Sequence, residues 1–165
     1  MTPAAQARTE RREAKMQARR AQLAAKRQDH GGPLAWRGWF DGSAHPNPGK
    51  LGIGALLLGP DGERIEVSHA AGHGSSSDAE YAALTAVLRA ALDVRPVQLL
   101  LYGDSQVVIN DVLGTTPSGA KGLEMHRATV VALLQQFPEV SLRWIPRHRN
   151  GEADRLSQRA IATWE

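Results

Sequence analysis

The sequence predicts an α/β domain behind a basic arm. Three observations predict it. Segments of strand and helix period follow one another as βββαβααβα beyond residue 33, and a continuous apolar run, VQLLLYG at 97–103, sits between Pro96 and Asp104. The third is an abrupt change of composition at HGGP, residues 30–33.

The arm comes first. Residues 1–32 carry eight Lys/Arg against three Asp/Glu, a net of +5, whereas residues 33–165 carry a net of −2. The basic balance of the chain therefore belongs to the arm. Ala, Arg, Gln and Lys favour helix, yet Met16 and Leu23 are almost the only large apolar residues there, too few to bury a core. The arm reads as solvated, helical or disordered, and able to contact nucleic acid through its charge. It lacks the apolar stretch of a secretory signal, and Glu10 and Glu13 interrupt a transit-peptide pattern.

The elements of residues 33–165 follow in order. LAWRGWF is a strand ending at Asp41, LGIGALLLG a second and ERIEVSHAAG a third, with PDG at 60–62 turning between the last two. A helix covers about 78–93. VQLLLYG suits a central strand buried on both faces. Ser105 can cap a helix reaching Leu113, and TTPSGAKG is a loop. GLEMHRATVVALLQQF is a further helix, VSLRWI a fifth strand stopped by Pro146, and Asn150 caps a last helix running to the C-terminus. In that helix Ala153, Leu156, Ala160, Ile161 and Trp164 form one apolar face. No internal repeat is present.

Composition excludes several classes. The chain has no cysteine, hence no disulfide framework and no zinc–thiolate site, which suits a reducing, cytoplasmic setting. No apolar run approaches the roughly 18 residues that span a bilayer, so no membrane association is expected.

Four acids stand out by position. Asp41 interrupts the first strand before a Gly/Pro/Asn turn, and Asp104 follows the central strand, where ligands of α/β sheets gather. At 100° per residue, Glu80 falls on the stripe of Leu84, Val87 and Leu88, so its carboxylate is turned toward the core. Asp154 borders the apolar face of the last helix. Taken singly, each has a structural explanation: a turn-former, a buried ion pair, a corner residue or a surface acid. If they converge, two charges about 4 Å apart cost on the order of 4 kcal/mol even at a dielectric of 20. Divalent cations with a preference for oxygen, Mg²⁺ or Mn²⁺, would remove that cost. His69 and His73 have i,i+4 spacing but lie in a predicted strand and loop, and read as surface residues; Gly52 and Gly54 complete no nucleotide-binding G-x-G-x-x-G.

At this point the motifs match a family. DGSAHPNPGKLGIGA at 41–55, AEYAAL at 79–84, YGDSQVVIN at 102–110 and IPRHRNGEADRLS at 145–157 resemble type 1 ribonuclease H over about residues 36–160. The successive acids are 39, 24 and 50 residues apart, and the combination is far more specific than any one fragment. The resemblance implies a ribonuclease H-like fold with a mixed five-stranded sheet of order 3-2-1-4-5 flanked by helices. It implies two Mg²⁺ ions held by Asp41, Glu80, Asp104 and Asp154, with Mn²⁺ as a possible substitute. It implies a monomer that hydrolyses the RNA strand of RNA–DNA hybrids to 3′-hydroxyl and 5′-phosphate ends. The alternative is a catalytically weak or inactive nucleic-acid-binding module of the same fold. By the same resemblance Gly42, Ser43, Ala44, Asn47, Ser76, Ser77 and Gln106 would contact the hybrid.

Three departures from the family pattern are visible. Ser75-Ser76-Ser77 stands where Thr-Asn-Asn is usual, LGTTPSGAKG replaces the basic Trp-containing protrusion some members carry, and His148 lies only six residues before Asp154. Arg147 and His148 are therefore rival auxiliary residues: one a permanent phosphate-binding cation, the other a proton donor. The arm is expected to supply the charge that the missing protrusion does not.

Overall fold

The computed structural model describes residues 2–115 and 119–163, without the side chains of residues 21–30. The expectations for Leu23, for Trp164 and for the middle of the TTPSGAKG loop lie outside the described residues. Residues 1–32 and 33–165 form two compact units. The first is one helix, α1 (Pro3–His30), whose described side chains are all exposed. Gly31 follows it at φ 69°, the left-handed conformation that commonly closes a helix.

The second unit runs β1 (Ala35–His45), β2 (Gly49–Leu58), β3 (Arg64–Gly74), α2 (Ser76–Val94), β4 (Gln98–Gly103), α3 (Gln106–Leu113), α4 (Glu124–Leu134), β5 (Val140–Trp144), a 3₁₀ turn (Arg147–Arg149) and α5 (Gly151–Ala162). The strands form one mixed sheet in the expected order β3-β2-β1-β4-β5. β1, β2 and β3 pair antiparallel, while β4 and β5 run parallel to β1. Leu99, Leu100 and Leu101 of β4 are all buried, as a central strand between two packed layers requires.

Several expected boundaries move. β1 does not end at Asp41 but continues to His45, because Asp41, Gly42, Ser43 and Ala44 each pair with β2, opposite Gly54, Ile53, Gly52 and Leu51. Asp41 is thus a mid-strand residue in the antiparallel ladder. His69 and His73 both lie in β3, which extends to Gly74. α4 covers only Glu124–Leu134 of its predicted span, and the chain turns at Gln135, Gln136 and Phe137 with short-range hydrogen bonds.

Two helices fix the sheet's faces. α2 buries Ala79, Glu80, Tyr81, Ala83, Leu84, Val87, Leu88 and Ala91, the stripe read from sequence. Those apolar side chains pack with Phe40, Leu57, Leu99 and Leu101 of the sheet, each full burial contributing roughly 1.5–3 kcal/mol for Leu- or Phe-sized groups. α5 approaches the opposite side through glycines. A Cβ on Gly54 would stand 2.3 Å from the Ala153 carbonyl oxygen and 2.4 Å from the Ser157 nitrogen, and one on Gly52 would meet the Ser157 carbonyl oxygen at 2.5 Å. LGIGA is therefore a seat for a helix.

A buried acid ties the remaining helices together. Asp111 of α3, 1% exposed, accepts hydrogen bonds from the Tyr81 hydroxyl, from Ala120 N at 2.7 Å and from Arg127 Nη1 at 2.6 Å. Burial alone would raise its pKa, but these three donors hold it below the usual carboxylate value. α2, α3, α4 and the loop between the last two are locked by one charge, and removing one member of such a pair typically costs about 3–5 kcal/mol.

Gly54→Ala should destabilise the protein by about 2–3 kcal/mol, since the clash is with backbone that cannot rotate away. Gly151→Ala, whose added Cβ meets nothing within 4 Å, should leave stability unchanged or slightly raised. Urea unfolding of the two variants checks the contrast.

Candidate active site

Asp41, Glu80 and Asp104 come from three different elements, yet each offers a carboxylate oxygen within 4.8 Å of the others'. The close approach begins at Gly42. Its side-chain position faces the first turns of α2, and a Cβ there would lie 2.1 Å from the Ala79 carbonyl carbon and 2.4 Å from the Glu80 nitrogen. Only a hydrogen fits. With it, the Gly42 N–H reaches the Glu80 carboxylate and the Asp41 and Glu80 side chains hydrogen-bond to each other.

The start of α2 is fixed independently. Ser75 is its N-cap: the Ser75 hydroxyl accepts from Asp78 N at 3.1 Å, and Asp78 Oδ2 accepts from Ser75 N at 2.8 Å. This reciprocal capping box satisfies two of the helix's first donors. His126 of α4 adds a contact, with Nε2 3.1 Å from Asp78 Oδ1, and its ring stacks on Tyr81. The Asp78 carboxyl is held below its usual value, chiefly by the Ser75 N–H.

Electrostatics of the cluster are unfavourable as it stands. Asp41 is 6% exposed and its pKa is pushed up to about 7, first by burial and then by the Asp104 charge. Glu80 is raised well above the usual glutamate value, again by burial and then by Asp41 and Asp104. Its Oε2 is buried without a hydrogen-bond partner. A buried oxygen left bare, beside two more carboxylates, fits a divalent cation that takes hard oxygen ligands.

The fourth acid stands apart from the three. Asp154, half-buried in the first turns of α5, is not among the oxygens within 4.8 Å, but its charge adds to the upward pressure on Asp41. Ser157 links the two: its hydroxyl is 2.9 Å from Asp41 Oδ2, 2.8 Å from the Asp154 carbonyl oxygen and 2.7 Å from Ser43 Oγ. Gln158 Nε2 contacts both Ser43 Oγ, at 3.2 Å, and Asp154 Oδ1, at 3.5 Å.

Asn150 differs from its expected role. Its side chain makes no capping bond to α5. The amide is instead drawn inward, 1% exposed, where Nδ2 donates to the Phe40 carbonyl at 2.9 Å and to Asp104 Oδ2 at 3.1 Å. Asn150 and Ser157 are the site residues that sequence reasoning missed as such. The signal available was only their place in IPRHRNGEADRLS, four residues before and three after Asp154.

The expected nucleic-acid contacts are distributed around this centre. Gly42, Ser43 and Ala44 lie on β1, with the Ser43 hydroxyl turned inward to Ser157. Asn47, in the β1–β2 turn, exchanges two bonds with Ser76: Nδ2 to Ser76 Oγ at 3.2 Å and Ser76 N to Oδ1 at 3.1 Å. Ser77 is in the first turn of α2 and Gln106 is the exposed first residue of α3. Arg147 and His148 are exposed on the 3₁₀ turn leading to Asn150.

Comparison with known proteins places this geometry. Residues 39–160 match a family model described as reverse transcriptase-like. Ribonuclease HI of Halobacterium salinarum is 34% identical over 134 residues, covering 81% of this chain and 66% of that protein. The chain spans a smaller share, 34%, of a mycobacterial relative, the bifunctional protein Rv2228c of Mycobacterium tuberculosis, at 31% identity over 73% of this chain. The crystal structure of RNase H1 from Halobacterium salinarum superimposes with a TM-score of 0.74 at 32% identity, over 79% of this chain and 99% of that one. LC11-RNase H1, solved in complex with RNA/DNA hybrid, superimposes with a TM-score of 0.70 at 25% identity, over 77% and 96%.

The raised Asp41 pKa has a stability consequence of definite sign. Its folded-state value of about 7 lies above the ordinary aspartate value of 3.8, so this group's contribution is fully present below about pH 4 and is lost as pH rises through 7. Glu80, also raised, acts in the same direction, so metal-free protein should lose Tm as pH rises from about 4 to about 7, and millimolar Mg²⁺ should restore it at pH 8. Asp41→Asn should make that pH dependence shallower, with Glu80 retaining part of it. Asp78 and Asp111, held low, act only near and below pH 4 and do not obscure the trend. Thermal unfolding in EDTA and in Mg²⁺ reads all three outcomes.

Proposed function

The chain belongs to the type 1 ribonuclease H family, and from that premise we propose that it is an endoribonuclease hydrolysing the RNA strand of RNA–DNA hybrids to 3′-hydroxyl and 5′-phosphate ends. The observation that carries the reading is the meeting of Asp41, Glu80 and Asp104 within 4.8 Å. These three would hold divalent metal, two Mg²⁺ or Mn²⁺ ions, with Asp154 completing the set from α5. When bound, the ions supply an activated water, an oriented phosphate and charge compensation for the departing 3′-oxygen.

The chain's own residues do the positioning. Asn150 donates to Asp104 and Ser157 to Asp41, so two of the carboxylates are oriented by neutral donors that add no competing charge. The Asn47–Ser76 pair joins the β1–β2 turn to the start of α2 and presents polar atoms beside backbone N–H groups. Gly42 and Ala44 add a strand edge with little side-chain bulk. Such a surface suits recognition of an RNA strand through its 2′-hydroxyls. Gln106 would extend the contact at the start of α3. Arg147 or His148 would assist at the scissile phosphate or the leaving oxygen, without being essential. A reducing, cytoplasmic setting is consistent with the lack of cysteine, and among the described residues no helix is long and apolar enough to cross a membrane.

A catalytically inactive binding module is the weaker reading. Buried carboxylates that repel one another also repel a phosphate backbone, so a module selected for binding alone gains nothing from them.

Labelled RNA–DNA hybrid should be cut in Mg²⁺, uncut in EDTA, and uncut by Asp104→Asn to within a loss of at least about 10³-fold in kcat. Duplex DNA should remain intact. Binding without cleavage, undiminished in Asp104→Asn, would establish the inactive module instead. Asn150→Ala should lower kcat by about 10–100-fold with little change in KM, the usual consequence of losing a group that orients a ligand. Asn150→Asp should be worse, since it adds a further negative charge beside Asp104.

A further inference from the structure

We infer that α1 is a phosphate-tracking helix that grips the backbone of the RNA–DNA hybrid along one face. The inference rests on the hybrid-nuclease reading and supplies what that reading lacks, since the catalytic unit at residues 33–165 has a net charge of −2 and must hold a polyanion.

The observation is a matter of helix geometry. α1 is helical from Pro3, and its described side chains are all exposed. With Arg8 set at 0° and about 100° per residue, Arg12 falls at about 40°, Arg19 at 20°, Lys15 at 340° and Arg11 at 300°. Five cations thus share an arc of about 100°. Glu10 at about 200° and Glu13 at about 140° lie on the far side. Arg20, at about 120°, stands off the stripe beside Glu13, so five of the six cations between Pro3 and Arg20 share one face and both acids lie off it. The pairs Arg8–Arg12, Arg11–Lys15 and Lys15–Arg19 are like charges at i,i+4, an arrangement that weakens an isolated helix and that a facing anion relieves.

Dimensions agree with a nucleic-acid strand. Arg8 to Arg19 covers about 16 Å at 1.5 Å per residue, and one strand of duplex carries a phosphate about every 3.4 Å. Five cations therefore face about five phosphates. An anionic membrane is the other polyanion a basic helix can meet, but that use needs an apolar face with large side chains. Between Pro3 and Arg20 the single large apolar side chain other than the proline is Met16. The helix has a charged stripe and no greasy one.

The test uses the full chain and a fluorescent 18-base-pair RNA–DNA hybrid in EDTA, where cutting is blocked. The variant with Arg8, Arg11, Arg12, Lys15 and Arg19 all changed to Gln should reduce the slope of log K against log salt by about four units. It should also bind at least tenfold more weakly at 0.1 M salt, while kcat at saturating hybrid in Mg²⁺ stays unchanged. A second variant keeps the net charge and moves two cations off the stripe: R12Q and R19Q combined with Q6R and Q17R. It should lose about two units of slope. Wild-type slope in that variant would show that bulk charge suffices and would overturn the stripe. An unchanged slope in the five-site variant, with or without stripe-dependent binding to phosphatidylserine vesicles, would overturn the inference outright. Both results are separable from failure of the nuclease reading, which is an absence of hybrid cleavage by the wild-type protein in Mg²⁺.

Discussion

The contact between β1 and the first turns of α2 governs the rest of the molecule. At Gly42 the strand and helix backbones approach so closely that a methyl group would lie 2.1 Å from a carbonyl carbon of α2. That approach sets Glu80 beside Asp41 and, through the parallel pairing of β1 with β4, brings Asp104 in from the next strand. Three acids so placed are mutually destabilising, and burial raises the pKa of the first two before any neighbour acts. A fold that keeps them ionised at neutral pH needs cations in the gap. The site's chemistry and its cost to stability are therefore one fact.

The scaffold answers this cost with neutral donors. α5 is seated on β2 by Gly52 and Gly54, where two missing Cβ atoms let its backbone settle against the sheet. That seat carries Ser157 to Asp41 and sets Asn150, just ahead of the helix, between the Phe40 carbonyl and Asp104. An arginine or lysine in either place would neutralise a carboxylate and compete with metal for it. A hydroxyl and an amide orient the oxygens and leave their charge available. Farther away, where no metal is required, the protein does use a cation: Asp111 is paired with Arg127.

How much of this could be read from the chain depended on period and charge. The element order, the doubly buried β4 and the inward turn of Glu80 follow from apolar spacing, which acts locally and leaves a regular trace. The position of Asp41 did not: Gly42 and Ala44 lack strand-forming side chains, yet pairing with β2 holds them extended as far as His45. Asn150 misled for a related reason. Asparagine before a helix commonly caps it, and only the tertiary arrangement shows its amide pulled to Asp104 instead. Asp111 and Arg127 are 16 residues apart on different helices, so nothing local announces their pairing. Gly52 and Gly54 resemble a nucleotide loop until the helix they admit is in view.

Charge also explains why the protein divides its labour between two units. Fixed cations packed around Asp41, Glu80 and Asp104 would compete with any divalent metal that these acids could hold. Beyond a single auxiliary cation such as Arg147, the catalytic unit's attraction for a polyanion would come from bound metal or from charge carried elsewhere. The first source makes hybrid and metal binding mutually dependent: each neutralised carboxylate lowers the repulsion felt by the next phosphate, and each bound phosphate favours the cation. The second source is constant, and the five-cation face of α1 has the length and sign for it. Placing that charge on a separate helix lets affinity be raised without touching the carboxylates. On that proposal, the basic charge that LGTTPSGAKG after α3 lacks is carried in the sequence by α1.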